Sequence, residues 1–380
     1  MTTARTKKIF ISDIHMGDAR SFAKTYPYGW FRSNIRNLAN FLTEQLSAPE
    51  VAEVVILGDL FDEWVIPTDE DPLNSFQAIC NNPPNSPVIE ALRQLAARGI
   101  LTYVPGNHDM TLSTTELGGT QKFMEAAFPG IRYSSDPNLP NGVYRSGKLV
   151  AEHGNRYALF NASDTWTNPP SFLPMGYFLS RLVAYKVSTT GTDEDFHDIL
   201  RKFVKQFKDR PNFVKNLFVA VAQDAGLNES DPINMNGIPG FPGTVGAIGS
   251  LYEQLIEDWQ KHRQDIIWEI ALLGDIGDLS WAAAYIYFSL FGSDQNIVIF
   301  GHTHQADMIK PPFLEAAPAV QNIHLDLPCR WIYANCGTWV DSAPHCTYVE
   351  TQKDAAAGRH YVRLWTYPAK TLLQEGFVKL

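Results

Sequence analysis

Five short apolar runs in this chain each end in a polar side chain of the kind that binds metals, and that repetition constrains the fold more than any other feature. The runs are Ile9-Phe-Ile-Ser-Asp13, Val54-Val-Ile-Leu-Gly-Asp59, Leu101-Thr-Tyr-Val-Pro-Gly-Asn107, Leu149-Val-Ala-Glu-His153 and Ile297-Val-Ile-Phe-Gly-His302. Their length and unbroken apolar character predict strands buried on both faces and ending at one common edge. Between the first two, Ile35, Leu38, Leu42 and Leu46 recur at helical spacing; between the second and third, Ile89, Leu92 and Leu95 do the same, with Pro87 near the start and Gly99 past the end. Strands alternating with helices predict an α/β layer structure with right-handed crossovers.

The pattern changes from about 155 to 293. Helical stretches such as Asp195 to Phe207 and Ser250 to Leu273 are separated by Gly/Pro-rich segments, of which 234–246 reads as a loop. The expected organisation is a catalytic domain of residues 1–155 and 295–380 carrying a mostly helical cap insertion, 156–294. Three later runs, Arg330 to Asn335, Cys346 to Glu350 and Tyr361 to Tyr367, alternate as strands of a second, mixed or antiparallel sheet would.

Composition removes several classes. Lys+Arg 31 against Asp+Glu 41 leaves a net charge of −10, which repels a polyphosphate backbone and argues against bulk nucleic-acid binding. Four scattered cysteines without a CxxC motif suit reduced thiols better than a disulfide framework. The start of the chain offers no signal-peptide core, and the densest apolar stretch, Trp281 to Phe291, falls short of the roughly 20 residues that span a bilayer. A soluble cytoplasmic protein without a transmembrane segment is expected, with peripheral membrane contact through the insertion left open and the oligomeric state undetermined.

The strand ends gather potential ligands: Asp13 and His15, Asp59, Asn107, His153, then His302 and His304. Beyond the carboxyl ends of strands in an open α/β sheet, residues distant in sequence converge on one crevice. Imidazole, carboxylate and amide oxygen together suit Mn, Fe or Zn better than Cu(I). Glycines before Asp59, Asn107 and His302 are expected to let the chain turn sharply as it leaves each strand. A second Gly-Asp pattern, Gly274-Asp-Ile-Gly-Asp278, follows a helical stretch and reads as a helix end and turn.

The ordered set DxH, GDxxD, GNHD, H and GHxH stands here as Asp13/His15, Gly58-Asp59-Leu60-Phe61-Asp62, Gly106-Asn107-His108-Asp109, His153 and Gly301-His302-Thr303-His304. It resembles the calcineurin-like metallophosphoesterase superfamily over about residues 8–155 and 296–350. The resemblance implies a four-layer α/β/β/α sandwich and a two-metal hydrolase of phosphoric esters. It further implies one ion on Asp13, His15, Asp59 and His304 and a second on Asp59, Asn107, His153 and His302. Asp59 would bridge the ions, since a carboxylate has two oxygens, and a bridging hydroxide would attack phosphorus. His108 would be free to protonate the leaving oxygen or bind a phosphoryl oxygen, with Asp109 a candidate to orient its ring. Asp62 suits a helix cap or a contact to a ligand histidine equally.

Gly58-Asp-Leu-Phe-Asp-Glu-Trp64 and Leu173-Pro-Met-Gly-Tyr-Phe-Leu-Ser-Arg-Leu182 also resemble the bacterial UDP-2,3-diacylglucosamine pyrophosphatase group. His108 stands where those enzymes carry arginine, and their cap is shorter. What the likeness implies is a cleft-capping segment that holds an apolar or aromatic substrate group. Because the insertion leaves and re-enters beside His153 and His302, Tyr177 and Phe178 are expected in its wall, and Arg20 and Arg156, close in sequence to the ligands, are expected as phosphate contacts. The expected substrate is a small phosphodiester or pyrophosphate. The alternatives are a phosphomonoesterase or protein phosphatase and, from another class, a non-catalytic metal-binding scaffold.

Overall fold

Two sheets lie face to face, each backed by helices. The computed structural model describes residues 5–22, 29–71, 76–109, 118–134, 142–163, 166–167, 173–192, 196–236, 241–264, 266–289, 295–310 and 328–380. In chain order the strands are β1 (Lys7–Ile11), β2 (Val51–Leu57), β3 (Leu101–Val104), β4 (Arg132–Tyr133), β5 (Tyr144–Ser146), β6 (Leu149–Ala151), β7 (Ile297–Phe300), β8 (Asp307–Ile309), β9 (Ile332–Asn335), β10 (Cys346–Asp354), β11 (Arg359–Tyr367) and β12 (Leu372–Lys379). Among the described residues the first sheet runs β12-β11-β10-β1-β2-β3-β4, with β1 to β4 parallel, and the second runs β5-β6-β7-β9-β8, with β6, β7 and β9 parallel.

The helices before β4 are α1 (Ile35–Ser47), α2 (Phe76–Asn81), α3 (Ser86–Ala97) and α4 (Gly118–Ala127). They cover the outer face of the first sheet: Ile9 and Ile11 of β1 and Val54 and Ile56 of β2 share a core with Leu38 and Leu42 of α1 and Leu92 and Leu95 of α3. The alternate residues, Phe10, Val55 and Leu57, face the second sheet and pack with Ile297, Ile299 and Ile332. Each such side chain buried from water contributes about 1.5–3 kcal/mol, which is why the central runs 9–11 and 54–57 are apolar throughout.

The later segment folds into α5 (Met175–Thr190), α6 (Phe196–Phe207), α7 (Phe213–Asp224), α8 (Val245–Leu251), α9 (Leu255–His262), α10 (Trp268–Asp275) and α11 (Ser280–Ala283), which runs on into a π-helical turn, Ala284–Ser289. Leu179 of α5 and Leu217 of α7 share one hydrophobic cluster with Val150, Val298, Phe300 and Tyr333 from the outer face of the second sheet. Helices α5 and α7 therefore back the outer face of the second sheet as the fourth layer of the sandwich. No helix among the described residues is long and apolar enough to cross a membrane.

Three expectations change. The stretch Ser250 to Leu273 is not one helix but parts of α8, α9 and α10; Trp259 Nε1 donates to the Ile266 carbonyl at 2.9 Å across the second break. Of the three late strand runs, only Arg330 to Asn335 enters the second sheet. The other two extend the first, because β10 pairs antiparallel with β1 (Phe10 opposite Val349) and satisfies the edge β1 would otherwise expose. The aromatic run also divides: Trp281 is 61% exposed, Tyr287 is buried and Phe288 stacks on Trp331. Phe172, Phe291 and residues 237–240 of the expected loop lie outside the described residues.

Candidate metal centre

The loops leaving the strands are tied to one another before any side chain is considered. Ile14 and His15 N–H both donate to the Asp59 carbonyl at 2.9 Å, zipping the loop after β1 to the loop after β2. Between the sheets, the Asp13 carboxylate accepts the His302 N–H (3.1 and 2.9 Å); within the second sheet, Gly301 N–H donates to the His153 carbonyl at 3.0 Å.

The sharp turning falls on the polar residues themselves. Asp13, His15, Asp59, His302 and His304 all have φ between 52° and 72°, and they are five of the seven non-glycine residues with positive φ among those described. Such backbone costs of order 1–3 kcal/mol per residue and clusters where structure over-determines it for function. The motif glycines thus act differently from expectation. Only Gly58 has positive φ. At Gly106 a Cβ would run into Asp59, and at Gly301 into Ser12 and Asp13, so these two permit close approach rather than a turn.

Three groups of donors result among the described residues: His15, Asp62 and His108 form the third, and the first two lie on either side of Asp59. Asp13, His15 and His304 each offer a ligand atom within 4.8 Å of the others, and so do Asp59, His153 and His302. The Nε2 atoms of His15 and His304 lie 3.0 Å apart, and Asn107 Oδ1 lies 3.0 Å from His153 Nε2. Asp59 sits between the groups: Oδ1 accepts the His108 N–H at 2.9 Å, while Oδ2 is 3.1 Å from His153 Nε2 and 3.7 Å from His15 Nε2. One oxygen, rather than one for each ion, therefore faces both groups.

The donor set fits cations. The Leu57 carbonyl can only accept, so the His153 Nδ1 beside it at 2.7 Å carries the proton and Nε2 keeps its lone pair toward the cluster. Asp62 Oδ2 does the same for His15 Nδ1 at 2.9 Å. Electrostatics points the same way. Burial opposes charge on both groups, yet His153 and His108 hold Asp59 well below the usual carboxylate range, and Asp59 and Asp13 raise His153 to about 9. A cation entering the cluster meets the same pull as that proton.

His108 stands beside the first group, its ring 4.6 Å from that of His15 and lying over Trp64 at 4.4 Å. Its Nδ1 contacts Asp62 Oδ1 at 3.1 Å. Asp62, not Asp109, orients the ring. The Asp109 carboxylate instead accepts the N–H groups of Phe61 (2.8 Å), Gly106 (3.2 Å) and Leu60 (3.4 Å), fastening the two motif loops together. Burial and Asp59 push it up to about 6. Asp62 also accepts from Trp64 and Val65 N–H, which ties down a loop rather than a helix start, so of its two expected roles the contact to a ligand histidine is the one it fills.

The chain's resemblance to known proteins is now decisive. The family model for calcineurin-like phosphoesterases matches residues 6–215, more than half of the 380. This chain belongs to the calcineurin-like phosphoesterase family. It is a metal-dependent hydrolase of phosphoric esters, and the family implies two divalent cations. A solved dimetal phosphatase from Danio rerio is similar over 99% of this chain and 99% of its own, at 8% identity and a TM-score of 0.39, too distant to carry any argument. No curated protein matches.

The substrate residues fare unevenly in the phosphoesterase. Arg20 lines a crevice with His15, Asp18, Trp30, Asp62 and Ile66. Arg156 is instead nearly buried and held by both oxygens of Glu152 (2.6 and 3.1 Å), so the expectation of a phosphate contact gives way to an internal ion pair. Tyr177 and Phe178 are fully buried. Tyr177 packs edge-on against Trp64, and Phe178 against Phe241 and Tyr252, which corrects their reading as a substrate wall: a side chain in the core has no surface left for a ligand. Sequence reasoning missed Trp30, whose ring lies 4.9 Å from His15, 5.8 Å from His304 and 6.0 Å from His108. No motif marks it.

Proposed function

We propose that Asp13, His15, Asp59 and His304 hold one divalent cation and Asp59, Asn107, His153 and His302 the other, and that the enzyme cleaves phosphodiesters or pyrophosphates bearing an apolar or aromatic group. The observation that carries this reading is the convergence of these side chains from five strand ends, with His108 beside them. When bound, the cations neutralise phosphate charge and acidify the attacking water, and the mixed donor set favours Mn, Fe or Zn.

The chain's own residues do the rest. His304 keeps 11% of its side chain exposed and is the least buried histidine of the cluster, so substrate approaches on its side. Asp62 holds His108 through Nδ1, which leaves Nε2 to protonate the leaving oxygen or bind a phosphoryl oxygen. Arg20, which lines the crevice beside His15 and pairs with Asp18 at 3.2 Å, is the candidate to bind a phosphate oxygen there. Trp30, half-buried beside His15, His304 and His108, is the side chain offered to an apolar substrate group. Residues 156–294 act as a cap only indirectly, through Tyr177 behind Trp64 and Asn161 beside Asn107. The four cysteines are buried and unbonded, which supports a reducing, cytoplasmic setting.

Steady-state hydrolysis of monoester, diester and nucleotide-sugar substrates with Mn, Zn, Fe and Co tests the substrate class. Diesters or pyrophosphates with a bulky apolar group are expected to lead; phosphomonoesters or phosphoproteins leading would replace this reading. Trp30→Ala should raise KM for the bulky substrates about tenfold, or ~1.4 kcal/mol, and leave methyl 4-nitrophenyl phosphate nearly unchanged. Phe178→Ala should cost about 3–5 kcal/mol of stability without that selectivity. Equal KM changes for large and small substrates in Trp30→Ala would remove Trp30 from the specificity wall.

A further inference from the structure

A file of three side chains runs from the helical layer into the metal centre. Asp275, the last residue of α10, is fully buried. Its oxygens accept the Phe160 N–H at 3.1 and 3.0 Å, and Oδ1 accepts Asn161 Nδ2 at 2.9 Å. Asn161 Oδ1 in turn faces Asn107 Nδ2 at 3.4 Å, and Asn107 Oδ1 lies 3.0 Å from His153 Nε2. Asn161 is also held through its backbone, whose carbonyl accepts Asn155 Nδ2 at 3.0 Å. A Cβ at Gly176 would collide with its Oδ1, so the close approach of α5 depends on that glycine.

The physical question is which way each amide points. The two ends of an asparagine amide are almost the same shape, so packing alone does not choose between them; the hydrogen-bond partner does. Oδ1 of Asp275 takes both the Phe160 N–H and the Asn161 amide, so even though burial raises the carboxyl to about 8, a retained proton sits on Oδ2 and Oδ1 faces Asn161 as an acceptor. Asn161 must then turn its NH2 to Asp275 and its oxygen to Asn107. Asn107 must turn its NH2 to that oxygen. Its own oxygen, the one atom of the amide that can bind a cation, is left facing His153.

We propose that Asp275 is a positioning residue for the metal centre, fixing through Asn161 the amide orientation in which Asn107 offers its oxygen to a cation. The inference rests on the assignment of Asn107 as a ligand. It gives the helical layer a role in the reaction that the buried Tyr177 and Phe178 do not supply. It also accounts for a carboxyl group buried in the helical layer, since such a group is taken into a core only where its partners or its function require it.

The test is the Mn²⁺ binding isotherm of the full chain, measured by equilibrium dialysis with elemental analysis. Asp275→Ala should weaken one of the two ions about 10–100-fold, the range for removing a partner of a metal ligand, and leave the other close to wild type. Asn161→Leu should reproduce that selective loss, and the double variant should be no worse than the weaker single, because both act through one file. If Asp275→Ala does not fold, the Asn161→Leu isotherm decides. A wild-type isotherm in either folded variant, or equal weakening of both ions, would overturn the proposal. A wild-type chain binding fewer than two ions would overturn the ligand assignment and this inference together, which separates that failure from a selective one.

Discussion

Asp59→Asn is expected to abolish phosphoesterase activity and to release both cations, a loss well beyond that of Asp62→Asn. The reason lies in how the replacing amide must sit. His108 N–H donates to Oδ1 at 2.9 Å, so the amide oxygen takes that position and the NH2 falls where Oδ2 stands. That position faces His153 Nε2 at 3.1 Å and His15 Nε2 at 3.7 Å, so the positive end of the amide would point at both proposed ion sites. Asp62→Asn alters instead the contacts to His15 Nδ1 and His108 Nδ1, and should weaken metal affinity or activity by about 10–100-fold. Metal content and kcat/KM measured on both variants settle the order. Equal losses at matched metal occupancy would remove Asp59 from the shared position.

His108→Ala is expected to keep both ions and lower kcat by about 10²–10⁴-fold, the usual range for a positioned general acid. Its ring lies over Trp64 and edge-on to the ligand His15, but it is not itself a proposed ligand, and the variant would keep the backbone N–H that holds Asp59 Oδ1. The loss should shrink for esters of 4-nitrophenol, whose leaving oxygen needs little protonation. A loss independent of leaving-group pKa would assign His108 to phosphate binding instead.

The layered α/β plan was legible because two-sided burial leaves a mark: Ile9, Phe10 and Ile11 are all apolar since one face meets helices and the other meets a sheet. The strand-end residues were legible for a related reason, because ligand side chains stand directly where apolar runs stop. Partners were not. Alternation in 346–367 tells which residues share a face but not which strand lies alongside, so β10 and β11 were placed in the wrong sheet. The same limit applies at the site. Asp109 is nearer than Asp62 to His108 in sequence, yet Asp62 reaches the ring, because the loop after β2 turns at Asp59 with φ 52° and carries Asp62 back over the centre. Tyr177 and Phe178 looked available for substrate because their helix is apolar all round, which equally describes a helix buried among others. Asn161 and Asp275 belong to no motif and are joined only by folding.

The most direct test of the two-ion centre is anomalous diffraction from crystals of the full chain equilibrated with Mn²⁺. Two peaks are expected, one among Asp13, His15 and His304 and the other among Asn107, His153 and His302, with Asp59 Oδ2 between them and a separation of about 3.5–4 Å. A single peak under saturating Mn²⁺, or two peaks that do not share Asp59, would contradict the account.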